Sequence, residues 1–366
     1  MTSSLRLRIR DVEARAVVAP MNPPVRTASG SVSQALLVLI DLHTEEGPVG
    51  RAYLAAYQPY ALRPLRELVR ELGATVKGQA VAPIELDRAL RSRFTLLGGA
   101  RGLQGMAVSG IDLAAWDALA VAAGVPLVTL LGGEARPIPA YNSLGMLGPG
   151  EAADDAGKTV AAGFRAMKIK VGWPLLDEDL AGVRAARRAL PDDVALMVDF
   201  NQSLTVAEAI RRGRALDGEG VAWIEEPVRA TDFHGAAEIA AALATPVQIG
   251  ENLAGPFEME EALRLRASDL VMPDVQQIGG VTGWLRAARW PTRRACRARA
   301  ISSSRRAPIS WRSRRRVTGS STSTWRARSW PSPSGRWTAR CARPPGRGWG
   351  SHGTSPPSGA TSRPDG

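Results

Sequence analysis

The sequence predicts an α/β protein: a parallel (β/α)8-type (TIM-like) barrel, C-terminally incomplete as written, behind a smaller N-terminal α+β domain. Three observations carry that prediction. From about residue 137, short apolar runs alternate with amphipathic stretches of helical period, and strands separated by such helices pair in parallel through crossovers. Polar residues close the apolar runs at intervals of 31, 26, 26 and 23 residues counted from Lys168, one strand–helix unit each. Six units are visible before the composition changes abruptly near Trp290.

Taken in order, residues 5–10 (LRLRIR) alternate apolar and basic groups, a strand signal that lacks the continuous apolar core of a signal peptide. Residues 20–30 (PMNPPVRTASG) are rich in turn formers and read as a mobile loop, and 33–42 as a strand. Residues 62–72 and 84–97 have helical spacing. The apolar stretch 110–131 reads as a buried helix broken at Gly124-Val125-Pro126 and stopped by Gly132-Gly133. Residues 1–135 therefore form the α+β domain. Barrel strands are expected at 138–141, 166–171, 195–198, 222–224, 247–249 and 270–272, within a second domain over 136–289. Their helices follow at 152–162, 178–189, 206–216, 235–243, 259–265 and 281–289.

Residues 291–366 are of another kind. They hold 17 Arg against Asp365 alone, whereas residues 1–290 hold 30 Lys and Arg against 34 Asp and Glu. The pI near 10.7 thus belongs to the tail and says nothing of the acidic body. A segment with no Leu, Phe, Met, Tyr, Lys or Glu cannot bury enough surface to offset its ordering entropy, so 290–366 reads as aberrant and disordered. Both cysteines, Cys296 and Cys341, lie there, which leaves the body without a disulfide framework. No run reaches membrane-spanning length. A cytoplasmic protein with no membrane partner is expected.

The chemistry lies at the strand ends. Lys168 and Lys170, two apart on a strand, share a face. Asp199 and Asn201, Glu225 and Glu226, Glu251 and Asn252, then Asp274 end the following strands, and barrel geometry brings them to one rim. Asp199, Glu225 and Glu251 repel one another unless a cation lies between them, and all-oxygen ligation selects a hard ion, Mg²⁺. Such an ion holds a substrate carboxylate and stabilises the enediolate formed when the neighbouring carbon loses its proton. The metal and Lys168 together are expected to depress the pKa of Lys170, the base. Any one of these groups alone is more often a helix cap or a solvated side chain; five consecutive rim positions are not. Ser143 ends the first expected strand, and taken alone is as well explained as a turn residue. Arg26, in the early loop, is more often solvated than bound to an acidic substrate.

Five strings resemble the mandelate racemase branch of the enolase superfamily. They are Lys168-Ile169-Lys170-Val171-Gly172, MVDFNQSL at 197–204, WIEEP at 223–227, Gly250-Glu251-Asn252 and MPDVQQIGGVTGWLR at 272–286. AAWDALA at 114–120 and GVPLVTLLGG at 124–133 resemble that family's capping domain, and the likeness covers about residues 5–289. The resemblance implies Asp199, Glu225 and Glu251 as Mg²⁺ ligands and Lys170 as the base for one face of the substrate. It implies that Lys168 and Asn201 bind and polarise the carboxylate and hydroxyl, that Ser143 is a further ligand contact, and that Asp274 is the acid partner of a catalytic His. Tyr53, with Leu54 and Tyr57, is expected to line a pocket that fits an aryl substrate without excluding a sugar acid. The implied reaction is racemisation of a mandelate-type 2-hydroxy carboxylate by a homo-oligomer. The alternative is loss of water, as in the sugar-acid dehydratases.

The chain departs from that pattern after Asp274. The expected His of the seventh strand falls at Ile301 and the expected Glu of the eighth at Ser321; His43, His234 and His352 lie elsewhere. Read one base early, the codons of 318–325 permit His-Trp-Leu-Glu-Tyr-Leu-Asp-Leu, with Glu at 321, and those of 300–303 permit Ser-His-Leu-Phe, with His at 301. A frame break near 287–290 accounts for both. The chain as written is then expected to be poorly soluble and unable to racemise. A genuine tail would instead be a basic segment that contacts nucleic acid through phosphates and stacking. A relic barrel kept only for assembly would bind no metal.

Overall fold

The computed structural model describes residues 6–28, 30–289 and 297–298. The expectation of a disordered tail lies outside these residues apart from 297–298. The N-terminal part is a three-stranded antiparallel sheet in the order β1 (Ile9–Thr27), β2 (Gly30–Thr44), β3 (Val49–Ala55). Helices α1 (Pro59–Val76), α2 (Pro83–Ser92), α3 (Gly102–Ala123) and α4 (Leu127–Leu130) follow it. Alternation makes the core. Leu36, Val38, Ile40 and Leu42 of β2 and Ala52 and Leu54 of β3 face the buried side of Val108, Ile111, Ala114 and Ala115 in α3, each large apolar group contributing about 1.5–3 kcal/mol. At Gly50 a Cβ would collide with the backbone of Ala114, so sheet and helix touch where only glycine fits. α3 is long and apolar enough to cross a membrane, and 61% of that apolar window is buried inside the fold. It ends where Gly124 takes φ 67°.

The turn-rich stretch expected as a mobile loop is paired backbone. β1 and β2 form one long hairpin down to Thr27 opposite Gly30, with a register shift between Pro20 and Val25. Pro23 and Pro24 offer no N–H to the ladder, so the strand steps out around them and resumes at Val25 opposite Val32.

The second part is a parallel sheet in strict chain order. Its strands are β4 (Asn142–Met146), β5 (Ala166–Lys170), β6 (Ala195–Asp199), β7 (Val221–Glu225), β8 (Val247–Ile249), β9 (Leu270–Val271) and β10 (Arg297–Ala298). Between them run α5 (Pro149–Ala161), α6 (Leu176–Ala189), α7 (Val206–Leu216), α8 (Phe233–Ala242) and α9 (Pro256–Arg264), then the pair α10 (Val275–Ile278) and α11 (Gly280–Ala287). Met167, Ile169, Leu196, Val198 and Ile224 pack outward under the helices, while Tyr141, Met197, Trp223 and Leu270 form an inner floor. Among the described residues β4 and β10 are the open edges. The first strand starts four residues later than expected. Pro137 and Pro139 flank Ile138, which is 69% exposed, and neither can donate to a ladder. Ser143 therefore lies inside β4 rather than past its end.

The two parts are joined chiefly through the sixth unit. The residue before α11 is Gly279, which has no side chain to cap the helix. Asp112 of α3, 170 residues away, supplies the cap: it accepts from the Thr282 backbone N–H at 3.0 Å and from the Thr282 hydroxyl at 2.5 Å. Trp116 donates to the same hydroxyl at 3.0 Å, and a Cβ at Gly280 would collide with Asp112. Beside it the buried Asp87 accepts from Arg91 at 2.6 Å and from Arg286 at 2.9 Å.

Candidate active site

Period two in the strands turns Lys168 and Lys170, Asp199, and Glu225 to the inside, directly above the Tyr141–Trp223 floor. In register, Lys170 lies beside Asp199 and Asp199 beside Glu225. Lys170 Nζ donates to Asp199 Oδ2 at 2.6 Å, and Lys168 Nζ to Glu225 Oε1 at 2.5 Å. Lys168 Nζ is also 3.8 Å from Asp199 and 5.3 Å from the centre of the Tyr141 ring. Lys168, Asp199 and Glu225 are buried, and 14% of the Lys170 side chain reaches solvent.

The loops beyond these strands turn sharply. Asn201, Gln202 and Glu226 have φ of 46°, 63° and 38°, left-handed values that L-residues hold at a cost. Asp199 stabilises its own turn by accepting from the Asn201 N–H at 2.7 Å and from its Nδ2 at 3.0 Å. The same bend carries Glu226 away from Glu225. It accepts from Asn252 Nδ2 at 2.8 Å and Gln202 Nε2 at 3.2 Å, and so ties three loops together. Glu251 follows Gly250, where a Cβ would come 2.8 Å from the Met272 nitrogen.

Charge is out of balance here. Four carboxylates, Asp199, Glu225, Glu226 and Glu251, face two ammonium groups. Burial pushes Glu225 up to about 7; Lys168 opposes this, and Asp199 and Glu251 add to it. Burial, then Glu251 and Asp199, push Glu226 up to about 8. Burial also works to raise Asp199, but the Lys170 and Lys168 ammoniums outweigh it and hold the carboxyl low. For Lys168, burial is outweighed by Glu225 and Asp199, which hold it charged. Lys168 and Glu225 both move up, Lys168 because the carboxylates around it outweigh its burial and Glu225 because its burial outweighs the one ammonium beside it.

That excess is what a divalent cation would neutralise, and hard oxygen donors suit Mg²⁺. The Asn201 Oδ1, buried and with no hydrogen-bond donor, is a further oxygen of the same kind beside Asp199. The donor set fits in chemistry. In position it is not drawn tight: among the described residues no three His, Cys, Asp or Glu side chains are gathered to hold a metal as they stand. Asp199 and Glu225 are turned onto the two lysines instead.

The remaining candidates are spread around the mouth. Ser143 stands opposite Lys168 in the β4–β5 ladder. Asp274 caps α10, accepting from the Gln276 N–H at 2.9 Å, from the Tyr57 hydroxyl at 3.0 Å and from Gln276 Nε2 at 3.1 Å. Tyr53 sits within β3 opposite Leu39, so the tyrosine bonded to the rim is Tyr57. The hairpin tip lies across the ends of β4 and β5: a Cβ at Gly145 would be 2.8 Å from the Arg26 carbonyl, and one at Gly172 would be 3.5 Å from Ala28. Arg26 itself points to Glu151 of α5 and pairs with it. His43 stands in β2, 3.7 Å from Glu13, and His234 starts α8; neither ends a barrel strand. Sequence reasoning missed the joint made by Tyr57, Gln276 and Asp274. Gln276 lay in a quoted motif, but its partner Ala55 is 221 residues distant, and no local signal joins them.

A barrel with paired lysines and a carboxylate-rich rim, roofed by an α+β domain, defines a class of enzymes that handle carbon acids. Residues 9–132 match the N-terminal domain described as mandelate racemase / muconate lactonizing enzyme, and 151–298 match the enolase C-terminal domain-like family. The chain belongs to the mandelate racemase-like members of the enolase superfamily. It is 32% identical over 285 residues to a D-galactarolactone cycloisomerase of Agrobacterium fabrum, covering 75% of this chain and 73% of that protein. It is 38% identical over 213 residues to an L-talarate/galactarate dehydratase of Salmonella typhimurium, covering 56% of this chain and about half, 52%, of that enzyme. A Bradyrhizobium enolase solved with magnesium and mandelic acid superposes with a TM-score of 0.77 at 44% identity, covering 81% of this chain and 82% of the other.

Proposed function

We propose that the chain binds Mg²⁺ through Asp199, Glu225 and Glu251 and removes the α-proton of an aryl 2-hydroxy acid with Lys170. One observation carries the reading: Lys170 and Lys168 share the inner face of β5, against Asp199 and Glu225 respectively. When bound, the metal supplies fixed positive charge against the substrate carboxylate, where negative charge accumulates in the transition state. Lys168 and Asn201 hold the carboxylate and hydroxyl. The Lys170 amine takes the proton as the C–H bond breaks, and the electron pair stays on the substrate. The 44% identity to the enolase solved with mandelic acid supports an aryl mono-acid.

The test follows α-proton exchange of (R)- and (S)-mandelate in deuterated water with Mg²⁺ by NMR. Exchange of one enantiomer is expected, and Lys170→Met should lower it about 10²–10⁴-fold. Equal exchange of both would overturn the single-base assignment. Loss of water from a sugar acid is the second reading, favoured by the 38% identity to the dehydratase. Release of a 2-keto acid from galactarate would select it. A homo-oligomer belongs to the same reading and is checked by light scattering. The frame break near 287–290 is part of the proposal too: resequencing the coding DNA should reveal one extra or missing base, and an unbroken frame would withdraw it.

A further inference from the structure

Three residues from two domains meet beside the mouth. Gln276 is buried, 5% exposed, and uses both ends of its amide. Its Oε1 accepts from the Ala55 backbone N–H at 2.9 Å. Its Nε2 donates to the Tyr57 hydroxyl at 2.5 Å and to Asp274 Oδ2 at 3.1 Å. The Tyr57 hydroxyl in turn donates to the same carboxylate oxygen at 3.0 Å. The orientation of the amide is dictated, because only its oxygen can receive a backbone N–H. Tyr57 holds φ 58°, left-handed backbone that a tyrosine adopts only under constraint from its surroundings. Tyr57 as a whole remains 41% exposed, so the bond to the barrel is made by the hydroxyl rather than by burial.

We propose that Gln276 is a positioning residue of this site, a buried amide through which the loop 55–57 is clamped over the barrel mouth and the Asp274 carboxylate is set. Neither end can move without the other. If the loop lifts, the Ala55 N–H and the Tyr57 hydroxyl leave the Gln276 amide together, and Asp274 loses the Tyr57 donor. If Asp274 turns, it gives up its bonds to the Tyr57 hydroxyl and to the Gln276 amide at once. Closing the roof and ordering the rim are thus one event. The inference rests on the proposed function only for the statement that the mouth takes an aryl 2-hydroxy acid.

The test uses the full chain and two variants. Gln276→Glu keeps the acceptor for Ala55 but replaces the donor end with an oxygen facing Asp274; Tyr57→Phe removes the hydroxyl alone. Two quantities are read: the rate of chymotryptic cleavage after Tyr57 in the folded protein, identified by mass spectrometry, and mandelate affinity in saturating Mg²⁺ by calorimetry. For Gln276→Glu, cleavage should accelerate about tenfold and mandelate binding weaken about tenfold, while Mg²⁺ affinity stays within about twofold. Tyr57→Phe should move the same two quantities by a smaller factor, and the double variant should add little to Gln276→Glu. Unchanged cleavage in both variants overturns the clamp. Faster cleavage with mandelate affinity unmoved reduces Gln276 to a structural bond and overturns its positioning role. If the unmodified chain binds no mandelate, the functional reading fails, and cleavage after Tyr57 still decides the clamp. If Gln276→Glu fails to fold, Tyr57→Phe decides by the same two readings.

Discussion

Lys168 is one ammonium set against two buried carboxylates, and its removal would strand Glu225 in the barrel interior. Lys168→Met should therefore cost about 3 kcal/mol in metal-free buffer, the penalty of a buried charge without its partner. Excess Mg²⁺ should raise the melting temperature of this variant more than that of the unmodified chain. Equal shifts in the two would count against metal binding at these carboxylates. Much of this site is legible from residue spacing, because alternation along a strand fixes which side chains share a face: Lys168 with Lys170, and Asp199 beside them. Other parts are not. Glu225 and Glu226 are adjacent and chemically alike, and only the left-handed bend at Glu226 sends one inward and the other to Asn252. Ser143 is displaced into β4 by prolines upstream, and Tyr57 rather than Tyr53 is bonded to the rim because the chain leaves β3 at Ala55.

At the scale of elements, α11 depends on a cap it does not own. Burial pushes Asp112 up to about 7 from its ordinary 3.8, although Thr282 donates to it twice. Between those values the folded chain holds a proton that the unfolded chain has released. Asp112's contribution is therefore fully present below about pH 4 and declines as pH rises through that value towards 7, by an amount on the order of 4 kcal/mol. Asp112→Asn should flatten that slope, read as urea midpoints at pH 5 and pH 7.5. An unaltered slope would show that Asp112 is not the titrating group. Helix α10 is signalled locally, since Asp274 stands at its start. For α11 the sequence offers only Gly279 and Gly280; the second is required by the space Asp112 occupies, the first by its left-handed φ of 110° and the Arg91 guanidinium beside it. The hairpin was equally hidden, because turn formers at 20–24 read as a loop while the ladder continues past them.

For the whole molecule, the order of the parallel strands is the order in which the apolar runs occur, so topology was the most legible feature of all. The departure after residue 289 was legible twice, in a composition of Arg without Leu, Phe or Glu and in a His and a Glu missing where the mechanism needs them. A gene restored to the alternative frame after the break should yield a chain that interconverts the two enantiomers of mandelate. The measurement is optical rotation over time, and one-sided exchange from the restored chain would refute the frame proposal. The joint between the parts has a consequence of its own. The last described barrel helices take their cap, two of their side-chain bonds and an ion pair from residues 55, 57, 87 and 112. A polypeptide starting at 136 would lack all of these, as would its counterpart ending at 135. Made as separate pieces and mixed, the two should recognise each other as the halves of a split protein do, and amide protection at Thr282 should return only in the mixture.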